Sequence, residues 1–434
     1  MSTPPAEVLT PGQILGLRIR RWSKILSAYF TFQTFTQLAG FAAGVLFYRF
    51  MSIRESALYA LAFSVITFFN FITDLGSSTS LVYFFHRTQG EGEMMQRYTA
   101  AVLSLRRAAF ALGAAGVLLV FPWVGVSKGF GVQETLLVTA CILPGVWFQI
   151  SSSVRVLLLR LRDRYDLSYR AELAGSGLRL LLALILVASG LLRAWLGVLT
   201  SALGSATVAS LARPDRPTAV EGDLRPYRRQ VLRYLLPSLP SALYFSIQGP
   251  LIVWLAATFG STRNIAEVGA LGRLGLAVGM FSNLTGVVFL PRLARISDDG
   301  RYRMRYLQFG SLLLAVALAM VLTAAVVPDL FLWLLGPHYA GLRGELLLVV
   351  AGAGFNLLGG YAVSVNLARS WNRWEGIAVV ILMMVQACLV AILPLGTTYG
   401  VLLFNVGTAA TGLLLQLLIA LGGFTRPRWV QWMT

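Results

Sequence analysis

Apolar residues fall along this chain in long blocks, and polar and basic residues are confined mainly to the short intervals between them. Each block is long enough to cross a hydrocarbon layer of about 30 Å as a helix. The pattern predicts twelve spans, at 25–48, 57–85, 101–122, 133–154, 171–190, 194–212, 231–258, 265–290, 306–328, 343–366, 376–395 and 398–422. The second and seventh are long enough to require tilt or a break. The expected fold is therefore an all-α polytopic membrane protein.

Composition supports the same reading. Of 434 residues, 57% are hydrophobic and 12% are charged, whereas a soluble globular domain carries about a quarter charged residues. The net charge of +18 raises nucleic acid as a partner, but the basic residues, nearly all arginine, sit in small clusters between apolar blocks with no folded basic domain around them. Topogenesis accounts for them: cytoplasmic connections retain Lys and Arg. With a cytoplasmic N-terminus, 28 of the 36 Lys and Arg fall on inside segments and 6 on outside ones; Arg179 and Arg273 lie within spans. The expectation is a multi-pass membrane protein with both termini in the cytoplasm and no nucleic-acid partner.

Residues 213–230, which contain Pro214, Pro217 and Pro226 among charges, form the longest inside connection. They divide the chain into six-span halves, 25–212 and 231–422. Residues 1–24 read as an interfacial N-terminal segment leading into an uncleaved first span, and 423–434 as a cytoplasmic tail. Tyr59-Ala60-Leu61 and Gly269-Ala270-Leu271 open the second span of each half, and basic clusters close both, at His86-Arg87 and from Arg292 to Arg295. Parallel repeats with a substrate cavity between them are a common transporter architecture.

Chemistry of other kinds finds little support. Cys141 and Cys388 both lie inside apolar blocks, and His86 and His338 have no ligand-like neighbours, so neither a disulfide framework nor a metal site is expected. No phosphate-cradling glycine loop, zinc-binding histidine pair or nucleophile elbow is present. The chain reads as something other than an enzyme, although a membrane-embedded glycan polymerase or ligase is a rival reading.

Charges inside spans are more informative. Arg179 lies nine residues beyond Arg170 and Arg273 ten beyond Arg263, about 13–15 Å along a helix and so near mid-membrane. A charge facing lipid there costs roughly 2.5–3.5 kcal/mol on insertion scales. These side chains should face a partner or a wet cavity, where arginine attracts phosphate. Asp74 is the one carboxylate deep in an apolar block. A structural ion pair, for instance Asp74 with Arg179, is the plainer alternative.

Polar side chains concentrate on spans 1, 2, 7, 8 and 10, whereas spans 6, 9 and 11 are mostly Leu, Val and Ala. This marks Gln33, Gln37, Asn70, Asp74, Tyr244, Gln248, Asn283 and Asn356 as candidates to line a central cavity, with Arg273 and Arg179 as candidate diphosphate ligands. Interhelical hydrogen bonding is the alternative account of the same residues. Pro237, Pro240, Gly249 and Pro250 predict a kinked seventh span. Gly40 and Gly44 on the first span, and Gly269, Gly272, Gly275 and Gly279 on the eighth, predict close helix packing. The arginine-rich connection from Arg155 to Arg170 could gather anionic lipid head groups, and topogenesis explains it equally well.

From Tyr59 to Arg87 an apolar helix is followed by Thr73-Asp74-Leu75-Gly76-Ser77-Ser78 and an aromatic stretch closed by His86-Arg87. This pattern, within twelve spans in two halves, resembles the Wzx-type polysaccharide-biosynthesis flippases of the multidrug/oligosaccharidyl-lipid/polysaccharide (MOP) superfamily. The resemblance covers essentially the whole chain and rests on architecture plus this loose local pattern. It implies a flippase moving an undecaprenyl-diphosphate-linked oligosaccharide from the inner to the outer leaflet of the bacterial inner membrane by alternating access. It further implies cationic ligands for the diphosphate, a role that Arg273 suits, and other polysaccharide-assembly proteins as partners. No cofactor is implied, and coupling to protons or sodium stays open because acids are sparse. A drug/cation antiporter of the same superfamily is the alternative within transporters, and a non-transporting scaffold of envelope assembly is a further one.

Overall fold

The computed structural model describes residues 32–88, 92–213, 223–279 and 298–425 apart from 370, 372 and 373, with scattered positions between 281 and 296. The predicted 1–24 segment, half of the linker (214–222), most of the tail and Asn283 lie outside the described residues. Every described element is helical. The first span is α1 (32–50). It is followed by α2 (Ile53–Asp74), α3 (Ser77–Arg87), α4 (Glu93–Ser127), α5 (Val132–Leu161), α6 (Tyr165–Ser189) and α7 (Ala194–Leu211). The second part of the chain forms α8 (Arg225–Leu235), α9 (Leu239–Phe259), α10 (Thr262–Gly279), the short α11 (Leu290–Ala294), α12 (Asp299–Val326) and α13 (Pro328–Leu335). Helices α14 (Arg343–Ala368), α15 (Glu375–Ile392) and α16 (Thr398–Thr425) complete it.

Ten described helical segments are long and apolar enough to cross a membrane. Their outward faces carry large apolar side chains that water would not tolerate in such number: Leu112 and Val326 are each 79% exposed and Ile392 is 77% exposed. Hydrocarbon is the solvent that suits them.

Both long spans are broken, each for a local reason. At the end of α2, Leu75 (φ 37) and Gly76 (φ 80) both adopt the left-handed conformation, which glycine accepts readily and leucine does not. The Asp74 carboxylate then takes the Ser78 amide at 3.3 Å and the Ser77 and Ser78 hydroxyls at 3.2 and 2.7 Å, capping the restart as α3. The seventh span is interrupted by a 3-10 turn at Leu236–Ser238. Pro237 and Pro240 lack the amides that an uninterrupted α-helix would use there.

The two parts of the chain repeat one packing scheme. The second and third spans pack on the fourth, and the fourth and fifth on the sixth; likewise the eighth and ninth pack on the tenth, and the tenth and eleventh on the twelfth. The halves meet chiefly where α2 packs on α9 and α10. A Cβ at Gly269 would fall 2.4 Å from the Ala60 Cβ, so only glycine allows α10 to lie this close to α2.

The packing also holds two carboxylates that the apolar pattern did not single out. Glu55 of α2, 8% exposed, accepts the Ala194 amide at the start of α7 at 2.6 Å and pairs with Arg193. Glu267 of α10 accepts the Thr398 hydroxyl at the start of α16 at 2.5 Å and pairs with Arg263. Each half thus ties its second span to its sixth through a buried acid.

On the face carrying Arg49 and Lys128, the halves are sealed together. Arg49 donates to the Trp333 carbonyl and lies 4.4 Å from the centre of that indole ring. Gly336 (φ 103) sits against the Arg49 backbone, and the Thr262 hydroxyl donates to the Lys128 carbonyl at 3.4 Å. Tyr339 is buried beneath the seal, and that burial pushes its phenol above the usual range. On the opposite face, α8 docks on α3 and α4. Tyr234 stacks on Tyr83 at 4.8 Å, Tyr227 meets Tyr98 edge-on at 5.0 Å, and Arg228 donates to Ser104 at 2.7 Å.

Candidate functional site

A cavity of about 610 Å³ opens inside the first half, bounded by α1, α2, α3, α5, α6 and α7. Its walls carry hydroxyls and carboxamides, among them Asn70, Gln149, Ser176, Ser201 and Ser205, together with Arg160, Glu172 and Arg179. Arg160 and Glu172 pair at 2.6 Å, which leaves Arg179 as the lining charge without a carboxylate. Its Nη2 donates to the Tyr59 hydroxyl at 3.3 Å, and its Nε is buried with no hydrogen-bond partner among the described residues. The Asn70 Oδ1 and Arg160 Nε on the same walls are likewise buried and unpartnered. Buried polar atoms of this kind favour a polar occupant.

A second cavity, of about 460 Å³, lies in the other half between α9, α14, α15 and α16. These are the seventh, tenth, eleventh and twelfth spans, the counterparts of spans 1, 4, 5 and 6 around the first cavity. Apart from Tyr244, Gln248, Asn356 and a few other polar side chains, its lining is largely apolar. Gln248 and Gln386 exchange amide hydrogen bonds at 2.7 and 3.4 Å, and the Tyr244 hydroxyl donates to Gln386 at 3.3 Å. Glu375 lines this cavity half-buried and makes no ion pair among the described residues.

Arg273 lies at the seam between the halves. It is 5% exposed. Its guanidinium carbon is 3.7 Å from the Phe63 ring centre, 5.6 Å from that of Tyr59 and 5.9 Å from that of Tyr48. Gly44 gives it room, since a Cβ there would sit 3.2 Å from the Arg273 Cδ. Nη2 has no hydrogen-bond partner, and no carboxylate pairs with Arg273 among the described residues.

The structure therefore gathers Asn70 and Arg179 at the first cavity, and Tyr244, Gln248 and Asn356 at the second. Gln33 and Gln37 are half-buried on α1, whose Thr36 and Gly40 line the first cavity. Asp74 bounds a smaller neighbouring cavity of about 280 Å³.

The proposed pairing of Asp74 with Arg179 is not what forms. Asp74 pairs with Arg106, whose guanidinium also donates to the Ser77, Ser78 and Ser153 hydroxyls at 2.6, 2.8 and 2.8 Å. Counted in the sequence as a cytoplasmic arginine, Arg106 is 3% exposed inside α4. Its position five residues into the predicted third span was the available signal. The apolar reading of spans 6 and 11 also needs correction. Ser201 and Ser205 of span 6 face the first cavity, and Gln386, a lone amide in span 11, ties that span to span 7.

No family model and no curated protein matches the chain. Solved structures do. The inward-facing conformation of a multidrug resistance MATE family transporter of the MOP superfamily is 18% identical; the match covers 90% of this chain and 96% of that one, with a TM-score of 0.66. Lipid II flippase MurJ, in an inward closed conformation, is 14% identical, with coverage of 93% and 88% and a TM-score of 0.71. The chain shares the fold of these two transporters. An outward-facing MATE transporter also matches, at a TM-score of 0.58, 14% identity and coverage of 91% and 93%. This transporter fold thus accommodates inward- and outward-facing arrangements in proteins similar to this one.

Proposed function

We propose that this protein is a flippase that carries an undecaprenyl-diphosphate-linked oligosaccharide from the cytoplasmic to the outer leaflet of a bacterial inner membrane. In this reading 25–212 and 231–422 are the moving halves, 213–230 joins them, and both termini are cytoplasmic. The observation that carries the proposal is the pair of membrane-embedded arginines that have no carboxylate partner among the described residues, Arg179 and Arg273, set about one tyrosine beside a hydroxyl-rich cavity. Guanidinium groups favour phosphate oxygens through charge-assisted hydrogen bonds. Hydroxyls and carboxamides suit the alternating donors and acceptors of a sugar. The likeness to a lipid II flippase in fold is consistent with such a cargo.

A drug/cation antiporter is the second reading, and Glu375 favours it as an unpaired acid in the second cavity. Asp74, Glu172, Glu55 and Glu267 are all engaged by arginine, which leaves less negative charge for a cation than that reading requires.

Ligand-dependent thermal stabilisation of the purified protein separates the two. The flippase reading expects stabilisation by the diphosphate-linked lipid oligosaccharide, weaker stabilisation by its monophosphate counterpart, and none by lipophilic cations. Stabilisation by the cations alone, abolished in Glu375→Gln, would replace it with the antiporter.

A further inference from the structure

Arg273 is a cation held across the seam mainly by aromatic side chains. The guanidinium belongs to α10 of the second half, whereas Tyr48, Tyr59 and Phe63, which enclose it, belong to α1 and α2 of the first. A cation shed of water is attracted to aromatic faces. Those faces nonetheless replace only part of its lost hydration, and Nη2 has no acceptor among the described residues. The residue is therefore secured well enough to link the halves and poorly enough to prefer an anion.

We infer that Arg273 is a substrate-released latch: caged by Tyr48, Tyr59 and Phe63 it holds the halves together on the Arg49 face, and a diphosphate entering beside it draws it out and frees them. This rests on the diphosphate reading above and adds how binding is converted into movement. The geometry couples the two events. Leaving the cage removes a contact between α10 and α2, the helices that form the main seam. Tyr59 connects the latch to the first cavity, because its ring faces Arg273 and its hydroxyl accepts from Arg179. An anion that engages Arg179 competes with that hydroxyl, loosening one wall of the cage. A ligand shifts such an equilibrium only through its differential affinity for the two states. The bare Nη2 supplies it, being unsatisfied in the caged state and available to phosphate oxygens outside it.

The test uses the full chain in nanodiscs, with Cys141 and Cys388 replaced by serine and spin labels at Val132→Cys and Phe259→Cys. These are exposed positions on opposite halves at the Arg49 face. Inter-label distances are measured with and without inorganic pyrophosphate. The wild type should be short without ligand and move to a longer distance with it. Arg273→Gln should be long without ligand and unresponsive. Phe63→Leu, which removes the nearest ring while keeping an apolar side chain, should raise the long-to-short ratio roughly tenfold or more and still respond to pyrophosphate.

If both variants keep the wild-type distances without ligand, the latch is overturned whatever the cargo. A pyrophosphate response that persists in Arg273→Gln also overturns it, while leaving the diphosphate reading intact. If the variants open but the wild type ignores both pyrophosphate and the diphosphate-linked lipid, the anion trigger falls together with that reading.

Discussion

Arg179 donates to the Tyr59 hydroxyl at 3.3 Å, and on the same ring the Arg273 guanidinium carbon lies 5.6 Å from the centre. Two membrane-embedded arginines from different halves thus meet through one side chain. Tyr59→Phe keeps the face for Arg273 and removes the acceptor for Arg179. Transport should fall several-fold at normal expression, and the effects of Tyr59→Phe and Arg179→Ala on rate should be non-additive, with a coupling in the range of about 0.5–3 kcal/mol. Additive losses in a double-mutant cycle of initial rates would mean that the contact has no role in transport.

The Asp74–Arg106 pair is expected to be structural. Arg106 is almost fully buried, so removing its carboxylate strands a charge; breaking such pairs destabilises by about 3–5 kcal/mol. Asp74 is itself partly exposed, which places Asp74→Asn toward the lower end. Its thermal midpoint should drop clearly, and the double variant Asp74→Asn/Arg106→Met should recover much of the loss. A stable Asp74→Asn that folds normally and has lost only transport would instead make Asp74 a coupling residue.

Close approach of α10 to α2 depends on Gly269. Gly269→Ala places a Cβ where the Ala60 Cβ and the Tyr48 hydroxyl already lie, at 2.4 and 2.6 Å. Both neighbours must shift, so the sealed arrangement should be disfavoured by roughly 1–3 kcal/mol, the usual penalty of overpacking. Cross-linking of cysteines placed at Arg49 and Trp333 reads this out: the yield should fall in Gly269→Ala, and an unchanged yield would show that the seam tolerates the added methyl.

The amide exchange between Gln248 and Gln386 should contribute modestly. Hydrogen bonds between helices in membranes average about 0.6 kcal/mol. Gln386→Leu should therefore shift the thermal midpoint by little while altering the second cavity, and a collapse of expression would mark Gln386 as a folding determinant.

Most of the helical framework was legible because hydrocarbon imposes a simple rule: twenty or so apolar residues, with backbone bonds closed within each helix. The breaks in the second and seventh spans were foreshadowed by excess length and by Pro237 and Pro240. The site was only partly legible. Arg179 and Arg273 stood out because charge within an apolar block is rare. Arg106 stood out less, because it lies near a span end where a basic residue ordinarily reaches water, and its five-residue depth was the only cue. Glu55 and Glu267 escaped for the same reason, lying at span ends where water is ordinarily close. Gln386 was a single amide in a run of Leu, Val and Met, and only the position of α9 shows that it has partners. Which polar helices share a cavity depends on rotation about each helix axis, and the period of these uniformly apolar spans does not encode it strongly.

The central claim, a diphosphate-linked glycan as cargo, is tested most directly by leaflet-to-leaflet movement of a fluorescent undecaprenyl-diphosphate oligosaccharide in proteoliposomes, comparing wild type with Arg179→Ala and Arg273→Ala. The account expects movement by the wild type and its near-complete loss in both variants at normal incorporation. Failure of the folded wild type to move several such glycans, or equal transport by both variants, would contradict it.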